Sequence, residues 1–175
     1  MSSGCADPPH HQTMRVGIAL GSNLGDRRSI LTEAIDQLRV LHQGGDFLVS
    51  TLHETEPVDC PPGSPVFLNG VVELESSLEP ITLLHRLQAL EVTFGRPLHH
   101  GINQPRTLDL DLLYCDGMTL KGSELELPHP RITERLFVLA PLAEIRPELQ
   151  LPGWSFRCDY YLSEIHKKSF YHAVY

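Results

Sequence analysis

The chain alternates between short apolar runs and segments whose apolar residues recur at helical spacing. Four segments predict strands, either as apolar runs or by strict alternation: residues 15–20, 47–53, 66–75 and 107–114. Two further segments carry apolar residues three and four apart. They predict helices that begin near Asp26 and Pro80 and end before Gly44 and Gly95. The predicted order is therefore strand, helix, strand, strand, helix, strand.

This order is typical of a ferredoxin-like α+β sandwich, in which a βαββαβ core forms an antiparallel sheet with both helices on one face. The other face of the sheet then needs a cover or a function. C-terminal additions are expected: a small edge strand over 124–128, a helix over 131–143 and a short helix in the last ~25 residues. We expect residues 1–13 to be a disordered tail and residues 14–175 to form a single domain.

Composition fits an ordinary globular chain, with 175 residues of which 41% are hydrophobic and 21% charged. The 14 Lys+Arg against 22 Asp+Glu give a net charge of −8, which disfavours a protein that coats nucleic acid or anionic membrane. No apolar run reaches the ~18 residues of a membrane helix. The N-terminus lacks the basic residues with which a signal peptide begins. The 4 cysteines form no C-x-x-C pair. We therefore expect a cytoplasmic protein with reduced thiols and no nucleic-acid or membrane partner.

The most informative segment is Pro105-Arg-Thr-Leu-Asp-Leu-Asp-Leu-Leu-Tyr114. On a strand, Asp109 and Asp111 point the same way, with Cα atoms about 6.6 Å apart. Mg²⁺ favours such sites, where one or two carboxylates, waters and substrate phosphates complete the coordination shell. The alternative is a half-buried strand that shows aspartates to water, although aspartate is depleted in strands.

The residues before this pair favour the metal interpretation. No acidic residue lies between Glu91 and Asp109, and this stretch carries the basic residues Arg96, His99, His100 and Arg106. Arginines beside carboxylates suit a polyphosphate, with metal on one side of the phosphates and guanidinium groups on the other. The alternative is a solvated loop whose arginines pair with surface acids.

Three other features are weaker signals. Glu91 falls on the flank of the second helix's apolar stripe, where a position at the rim of the core and a pair with Arg96 are favoured. The segment Gly21-Ser-Asn-Leu-Gly25 lacks both Gly-rich phosphate-loop patterns, so a tight turn followed by a helix cap is preferred. His129, Arg131 and Arg135 form a second basic group, for which surface positions remain the alternative.

In this order, the segments resemble the 6-hydroxymethyl-7,8-dihydropterin pyrophosphokinase family of folate biosynthesis, from about Val16 to Leu149. The most specific match is Pro105-Arg-Thr-Leu-Asp-Leu-Asp111. Supporting matches are Ala19-Leu-Gly-Ser-Asn-Leu-Gly25, Phe67-Leu-Asn69, and Leu127-Pro-His129 with Arg135 and Phe137. The resemblance implies a ferredoxin-like fold and transfer of the terminal pyrophosphate of ATP to the pterin hydroxymethyl group, with release of AMP.

The resemblance also implies roles for individual residues. Asp109 and Asp111 would hold two Mg²⁺ ions, and Arg96 and Arg106 would clamp the phosphates of the co-substrate ATP. Five positions match the nucleotide site: Gln88, Glu91, Leu112, His129 and Arg135. Five match the pterin pocket: Thr55, Val58, Phe67, Asn69 and Phe137. We expect a monomer that binds only these small molecules.

Two alternatives remain open at this stage. A Mg²⁺-dependent phosphohydrolase would use the same carboxylates with water as the nucleophile. A non-catalytic ferredoxin-like binding module is conceivable because residues 97–104 depart from the family pattern, which carries more arginine and a tryptophan there.

Overall fold

The computed structural model describes residues 13–57, 62–95 and 105–172, with side chains up to residue 167. The strands are β1 (Met14–Ser22), β2 (Leu48–Val49), β3 (His53–Thr55), β4 (Phe67–Ser76), β5 (Asp109–Cys115), β6 (Leu120–Lys121) and β7 (Glu126–Leu127). The helices are α1 (Arg27–Arg39), α2 (Pro80–Thr93), α3 (Leu136–Ile145) and α4 (Cys158–His172), with a 3-10 turn at Ile132–Glu134. Residues 1–12 of the predicted tail lie outside the described residues.

The main sheet has β1 near its centre, paired antiparallel with β4 on one side and β5 on the other. Both β2 and β3 pair antiparallel with β4. If β2 and β3 are taken as one interrupted strand, the order is second–third–first–fourth, which is the ferredoxin-like arrangement. The predicted fold class is confirmed.

The two helices of the βαββαβ core cover one face of the sheet. Their buried residues, Leu31, Ala34 and Leu38 on α1 and Leu83 and Leu87 on α2, belong to one apolar cluster with alternate residues of the strands. Helix α1 begins where sequence predicts it, because the Asp26 side chain accepts a hydrogen bond from the Ser29 N–H. This cluster is the larger of the two apolar clusters among the described residues.

Helices α3 and α4 cover part of the opposite face. Val71, Leu113, Leu139, Leu142 and Cys158 are among the buried residues of this second apolar cluster. The uncovered part of that face lies toward the start of β5, where the strand carries acidic instead of apolar side chains. The C-terminal additions therefore provide the cover that the sequence requires and leave one end of the sheet for polar side chains.

Three predicted elements are wrong in detail. The strand predicted over 47–53 breaks into β2 and β3, because Thr51 gives its backbone N–H to a side chain of α3 instead of to a strand. The edge strand predicted over 124–128 pairs as β7 with β6 in a separate two-stranded sheet. The C-terminal helix is 15 residues long and not short.

The helix predicted over 131–143 also differs. Arg135 adopts an extended conformation, so a 3-10 turn precedes it and α3 begins only at Leu136. Within the described ranges, every helix is too short or too polar to cross a membrane.

The described cysteines, Cys115 and Cys158, are free and buried. Burial raises the pKa of each thiol to about 12, so both remain protonated near neutral pH. Cys5 and Cys60 lie outside the described residues.

Candidate active site

Two carboxylates project from one face of β5. The side chains of Leu110 and Leu112 belong to the cluster under α1 and α2, so Asp109 and Asp111 point to the opposite face, as strand alternation predicts. Their side chains are 20% and 38% exposed. They are therefore accessible while lying against the sheet.

Each carboxylate has an arginine next to it. Arg106 Nη1 lies 3.1 Å from Asp109 Oδ1, and Arg135 Nη1 lies 3.5 Å from Asp111 Oδ2. The two positive charges offset the repulsion between neighbouring carboxylates. A cation bound to the aspartates would compete with these contacts, which would free the guanidinium groups to bind an anion.

Each of these arginines also lies over an aromatic ring. The guanidinium carbon of Arg106 is 5.9 Å from the centroid of the Phe67 ring, and that of Arg135 is 5.6 Å from the Phe137 ring. The site thus contains two similar sets, each made of a ring, an arginine and an aspartate. Both aspartates come from β5; the ring and arginine of the first set come from β4 and the residues before β5, and those of the second from the start of α3.

Arg106 carries a buried hydrogen-bond donor with no acceptor. Among the described residues, its Nε is the one buried side-chain nitrogen or oxygen atom without a hydrogen-bond partner. A buried unsatisfied donor is costly, and more so on a charged group. An anionic oxygen of a ligand would satisfy it.

Gly21 lies on β1 between β4, which carries Phe67, and β5, which carries the two aspartates. It pairs with Asn69 on β4 and with Asp109 on β5, so those two residues lie about 10 Å apart across it. The side chain of Asn69 donates to Thr55 Oγ1 at 2.6 Å, which turns its Oδ1 toward Gly21. A Cβ on Gly21 would lie 2.8 Å from that oxygen.

Glu91 is buried and not at the rim of the core, which corrects that prediction. Only 5% of the residue is exposed, and its Oε1 accepts a hydrogen bond of 2.7 Å from the N–H of Leu110. This N–H lies on the outer edge of β5, between the two aspartates in sequence. Gln88, one turn earlier on α2, is exposed.

Leu112 is a core residue by its side chain, which is 2% exposed. Its backbone polar groups face the same outer edge of β5 as the N–H of Leu110, because backbone direction repeats every second residue in an antiparallel strand. A nucleotide contact at this position would therefore be made by the backbone.

His129 lies beside the outer edge of β5, near the end of the strand, where two hydrogen bonds fix its position. Its backbone N–H donates to the carbonyl of Leu113 at 2.7 Å, and its Nδ1 accepts from the N–H of Arg131 at 3.2 Å. Burial lowers the pKa of His129. The imidazole is therefore neutral near pH 7 with its proton on Nε2, where it can donate to a ligand.

Some predicted residues cannot be placed. Arg96 and Val58 lie outside the described residues, as do His99 and His100. The structure therefore brings together Arg106, Asp109, Asp111 and Arg135 with the rings Phe67 and Phe137, and sets Asn69 and Thr55 beside them.

Sequence reasoning missed Asn23, which it treated as part of a tight turn. Asn23 is 2% exposed and exchanges hydrogen bonds with the backbone of Arg106. The available signal was a polar side chain between two glycines in a turn, which is too common to single out a residue.

The donor set fits magnesium carried by a nucleotide. Across the described ranges, no cluster of three or more His, Cys, Asp or Glu could hold a metal alone. Mg²⁺ is usually bound by one or two carboxylates together with substrate phosphates. Asp109 and Asp111 provide this partial set, and the adjacent arginines provide charge for the phosphates.

Fold and site together define a ferredoxin-like α+β protein that presents carboxylates, arginines and aromatic rings at one end of its sheet, as a site for a polyphosphate beside a flat ring. A family model described as 7,8-dihydro-6-hydroxymethylpterin-pyrophosphokinase matches residues 17–147. The chain belongs to this family.

Curated relatives agree with this assignment. The 2-amino-4-hydroxy-6-hydroxymethyldihydropteridine pyrophosphokinase of Pseudomonas aeruginosa is 41% identical over 140 residues, which cover 79% of this chain and 84% of the relative. The protein of the same name from Bacillus subtilis is 41% identical over 145 residues, or 81% and 84%. The folic acid synthesis protein of Pneumocystis carinii is 35% identical over 153 residues, which cover 86% of this chain but 20% of that protein.

A solved structure supports the fold. The wild-type HPPK-DHPS of Plasmodium falciparum with pteroate aligns with a TM-score of 0.71 at 13% identity, and covers 90% of this chain and 45% of that one. The chain thus spans less than half the length of this bifunctional neighbour.

Proposed function

We propose that this protein transfers the terminal pyrophosphate of ATP to the hydroxymethyl group of 6-hydroxymethyl-7,8-dihydropterin and releases AMP. The observation that carries the proposal is the pair of carboxylates on β5, each beside an arginine that lies over an aromatic ring. Membership of the pyrophosphokinase family supports the same reaction.

Asp109 and Asp111 would hold two Mg²⁺ ions, because both carboxylates lie on one face at a spacing that allows them to grip hard cations. Magnesium at this position would neutralise phosphate charge and acidify the substrate hydroxyl. The carboxylates would fix where the β- and γ-phosphates lie above the sheet. The reaction would therefore depend on Mg²⁺.

Arg106 and Arg135 would bind the phosphates once the aspartates engage the metal. The unpaired Nε of Arg106 is suited to a phosphate oxygen. We assign Arg106, together with Arg96, to the charge that develops on the moving pyrophosphate and on the departing AMP oxygen. His129 would donate from Nε2 to the nucleotide, while Gln88, Glu91 and the backbone of Leu112 would contact it along the outer edge of β5.

The pterin ring would lie between Phe67 and Phe137, near Asn69. Because the side-chain N–H of Asn69 is engaged by Thr55, its Oδ1 would accept from the ring of the pterin. Val58 would complete this pocket. The hydroxymethyl group would then lie between the Asn69 amide and the carboxylates, which are on strands either side of Gly21.

The chemistry is an in-line displacement. The pterin hydroxyl oxygen forms a bond to the β-phosphorus as the bond from that phosphorus to the oxygen bridging the α-phosphate breaks, and the hydroxyl proton is lost to solvent. Catalysis comes from positioning and charge neutralisation, as in other phosphoryl transfers. The chain does not have to form a covalent intermediate.

The decisive test is a turnover assay with Mg²⁺, ATP and the reduced pterin, in which AMP is the measured product. We expect AMP to form only when all three are present. Asp109→Ala with Asp111→Ala should abolish turnover, whereas Asp116→Asn, at the other end of β5 and paired with Arg15, should retain it. Full turnover in the double variant would contradict the metal assignment. Consumption of ATP without pterin, or release of ADP, would indicate a phosphohydrolase.

A further inference from the structure

Asn23 occupies a buried position at the junction of three segments of the site. It follows β1 directly and is 2% exposed. Its backbone N–H donates to the carbonyl of Arg106 at 3.1 Å, and the N–H of Arg106 donates to Asn23 Oδ1 at 2.8 Å. One asparagine therefore binds both polar groups of the Arg106 backbone.

The other atom of the same amide reaches a different segment. Asn23 Nδ2 donates to the carbonyl of Pro65 at 3.4 Å, two residues before Phe67. Four residues along, Arg27 Nη1 donates to the carbonyl of Val66 at 2.8 Å. The turn after β1 thus fixes the start of β4, which carries the ring, and the segment before β5, which carries the arginine.

The contact with Arg106 matters for the proposed reaction because the Arg106 side chain lies beside Asp109 in the candidate site. Its guanidinium contacts Asp109 at 3.1 Å and keeps a buried Nε with no acceptor in the described part of the chain. Among the described residues, the backbone hydrogen bonds of Arg106 are made with Asn23, since the sheet pairing of β5 begins only at Asp109. The position of the guanidinium group relative to the carboxylates therefore depends on this clamp.

We propose that Asn23 is a positioning residue for pyrophosphoryl transfer: it fixes the Arg106 backbone against the start of β4 and thereby sets where the Arg106 guanidinium meets the phosphates. This inference rests on the proposed function. Asn23 itself touches neither phosphate nor ring. Its amide suits the role because it accepts from the N–H of Arg106 through Oδ1 and donates to the Pro65 carbonyl through Nδ2, whereas an ionised carboxylate can only accept and an alkyl side chain can do neither.

The test compares Asn23→Ala with Ser76→Ala. Ser76 is also fully buried on the same sheet, and its Oγ accepts from the N–H of Leu78, but it lies at the far end of β4. Both variants lose a buried hydrogen-bonding side chain. We expect Asn23→Ala to lower kcat by about 10²-fold, as a misplaced catalytic group does, with the KM for ATP and pterin changed by less than about 3-fold. Ser76→Ala should keep kcat.

A double-mutant cycle separates positioning from general loss of structure. If Asn23 acts through Arg106, Asn23→Ala should lower kcat by less than about 3-fold in an Arg106→Ala background. An equal loss in both backgrounds would overturn the proposal. So would a kcat of Asn23→Ala that matches the wild-type value.

A second measurement does not depend on turnover. Hydrogen exchange at the Arg106 amide should be slow in the wild-type chain and in Ser76→Ala, and faster by roughly tenfold or more in Asn23→Ala. Unchanged protection in Asn23→Ala would overturn the positioning role whatever the activity. Absence of AMP formation by the wild-type chain, with the exchange difference present, would instead contradict the proposed function and leave the clamp established.

Discussion

At the scale of single residues, Gly21 shows how a missing side chain shapes the candidate site. It lies between Asn69 on β4 and Asp109 on β5, and because it has no Cβ the Asn69 amide can lie directly against β1. A Cβ there would meet Asn69 Oδ1 at 2.8 Å, a distance that real contacts do not adopt. The glycine is therefore needed for space and not for an unusual backbone angle.

We predict that Gly21→Ala impairs pterin binding while the fold is retained. The new methyl group would displace the Asn69 amide, so the KM for pterin should rise by roughly tenfold or more, the order of one lost hydrogen bond of about 1.5 kcal/mol. Steady-state kinetics would measure it. Gly70→Ala is the matched control, because its Cβ would instead meet a flexible Leu52 side chain. An equal KM increase in both variants would contradict the assignment.

At the scale of elements, a polar cluster joins β3 to α3. Glu144 on α3 accepts hydrogen bonds from the N–H and hydroxyl of Thr51 and contacts His53 Nε2. Desolvation alone would raise the pKa of Glu144, but the bonds from Thr51 and His53 hold it below its ordinary value. The carboxylate thus stabilises the edge of the sheet that carries Thr55.

This cluster predicts a pH-dependent contribution to stability. Since the pKa of Glu144 is lower in the folded chain, the unfolded chain binds its proton first on acidification, and the stabilisation is lost as pH falls from about 4.5 through the folded pKa. The difference in unfolding free energy between wild type and Glu144→Gln should shrink between pH 6 and pH 3, by less than about 1 kcal/mol because the pair is partly exposed. Denaturant titrations at several pH values would measure it. A constant difference would contradict the assignment.

The same cluster explains which parts of the fold the sequence could predict. Helix starts depend on neighbouring residues, so Asp26 and Pro80 mark α1 and α2 correctly. The break between β2 and β3 depends on Glu144, which lies 93 residues after Thr51. The burial of Glu91 depends on the backbone of Leu110, 19 residues later, and the clamp at Asn23 on the backbone of Arg106, 83 residues later. Periodicity and local motifs contain no information about such contacts, whereas the face shared by Asp109 and Asp111 follows from alternation alone.

At the scale of the whole molecule, a charged network lies between the sheet and its C-terminal cover. Glu73 on β4 is 1% exposed, and its carboxylate accepts from the Tyr114 hydroxyl and from Nε and Nη2 of Arg146. The pKa of Tyr114 is raised far above its ordinary value, mainly by burial and to a smaller extent by the negative charge of Glu73. The hydroxyl therefore remains a donor, and the network joins β4, β5 and the end of α3.

Tyr114→Phe is predicted to destabilise the chain by about 1–3 kcal/mol, because a buried carboxylate loses one of its donors. Tyr161→Phe is the matched control: its hydroxyl accepts an exposed hydrogen bond from the Ser155 N–H, so about 0.5 kcal/mol or less is expected. Urea unfolding would measure both. Equal stability of the two variants would show that the network does not stabilise the packing of the two layers.

The pairing of both aspartates with arginines predicts how ligands stabilise the whole molecule. Magnesium alone competes with Arg106 and Arg135 for the carboxylates, and a nucleotide alone meets two negative, partly exposed carboxylates, so neither should bind well. Together they satisfy both sets of charges. In thermal unfolding, Mg²⁺ with a non-hydrolysable ATP analogue should therefore raise the melting temperature by more than the sum of the separate shifts. At ligand concentrations a hundredfold above Kd, the free energy of unfolding should increase by about 2.7 kcal/mol. Asp111→Asn should abolish this excess, while Asp116→Asn should keep it. An equal shift by the analogue without Mg²⁺ would show that the carboxylates do not bind metal with the nucleotide.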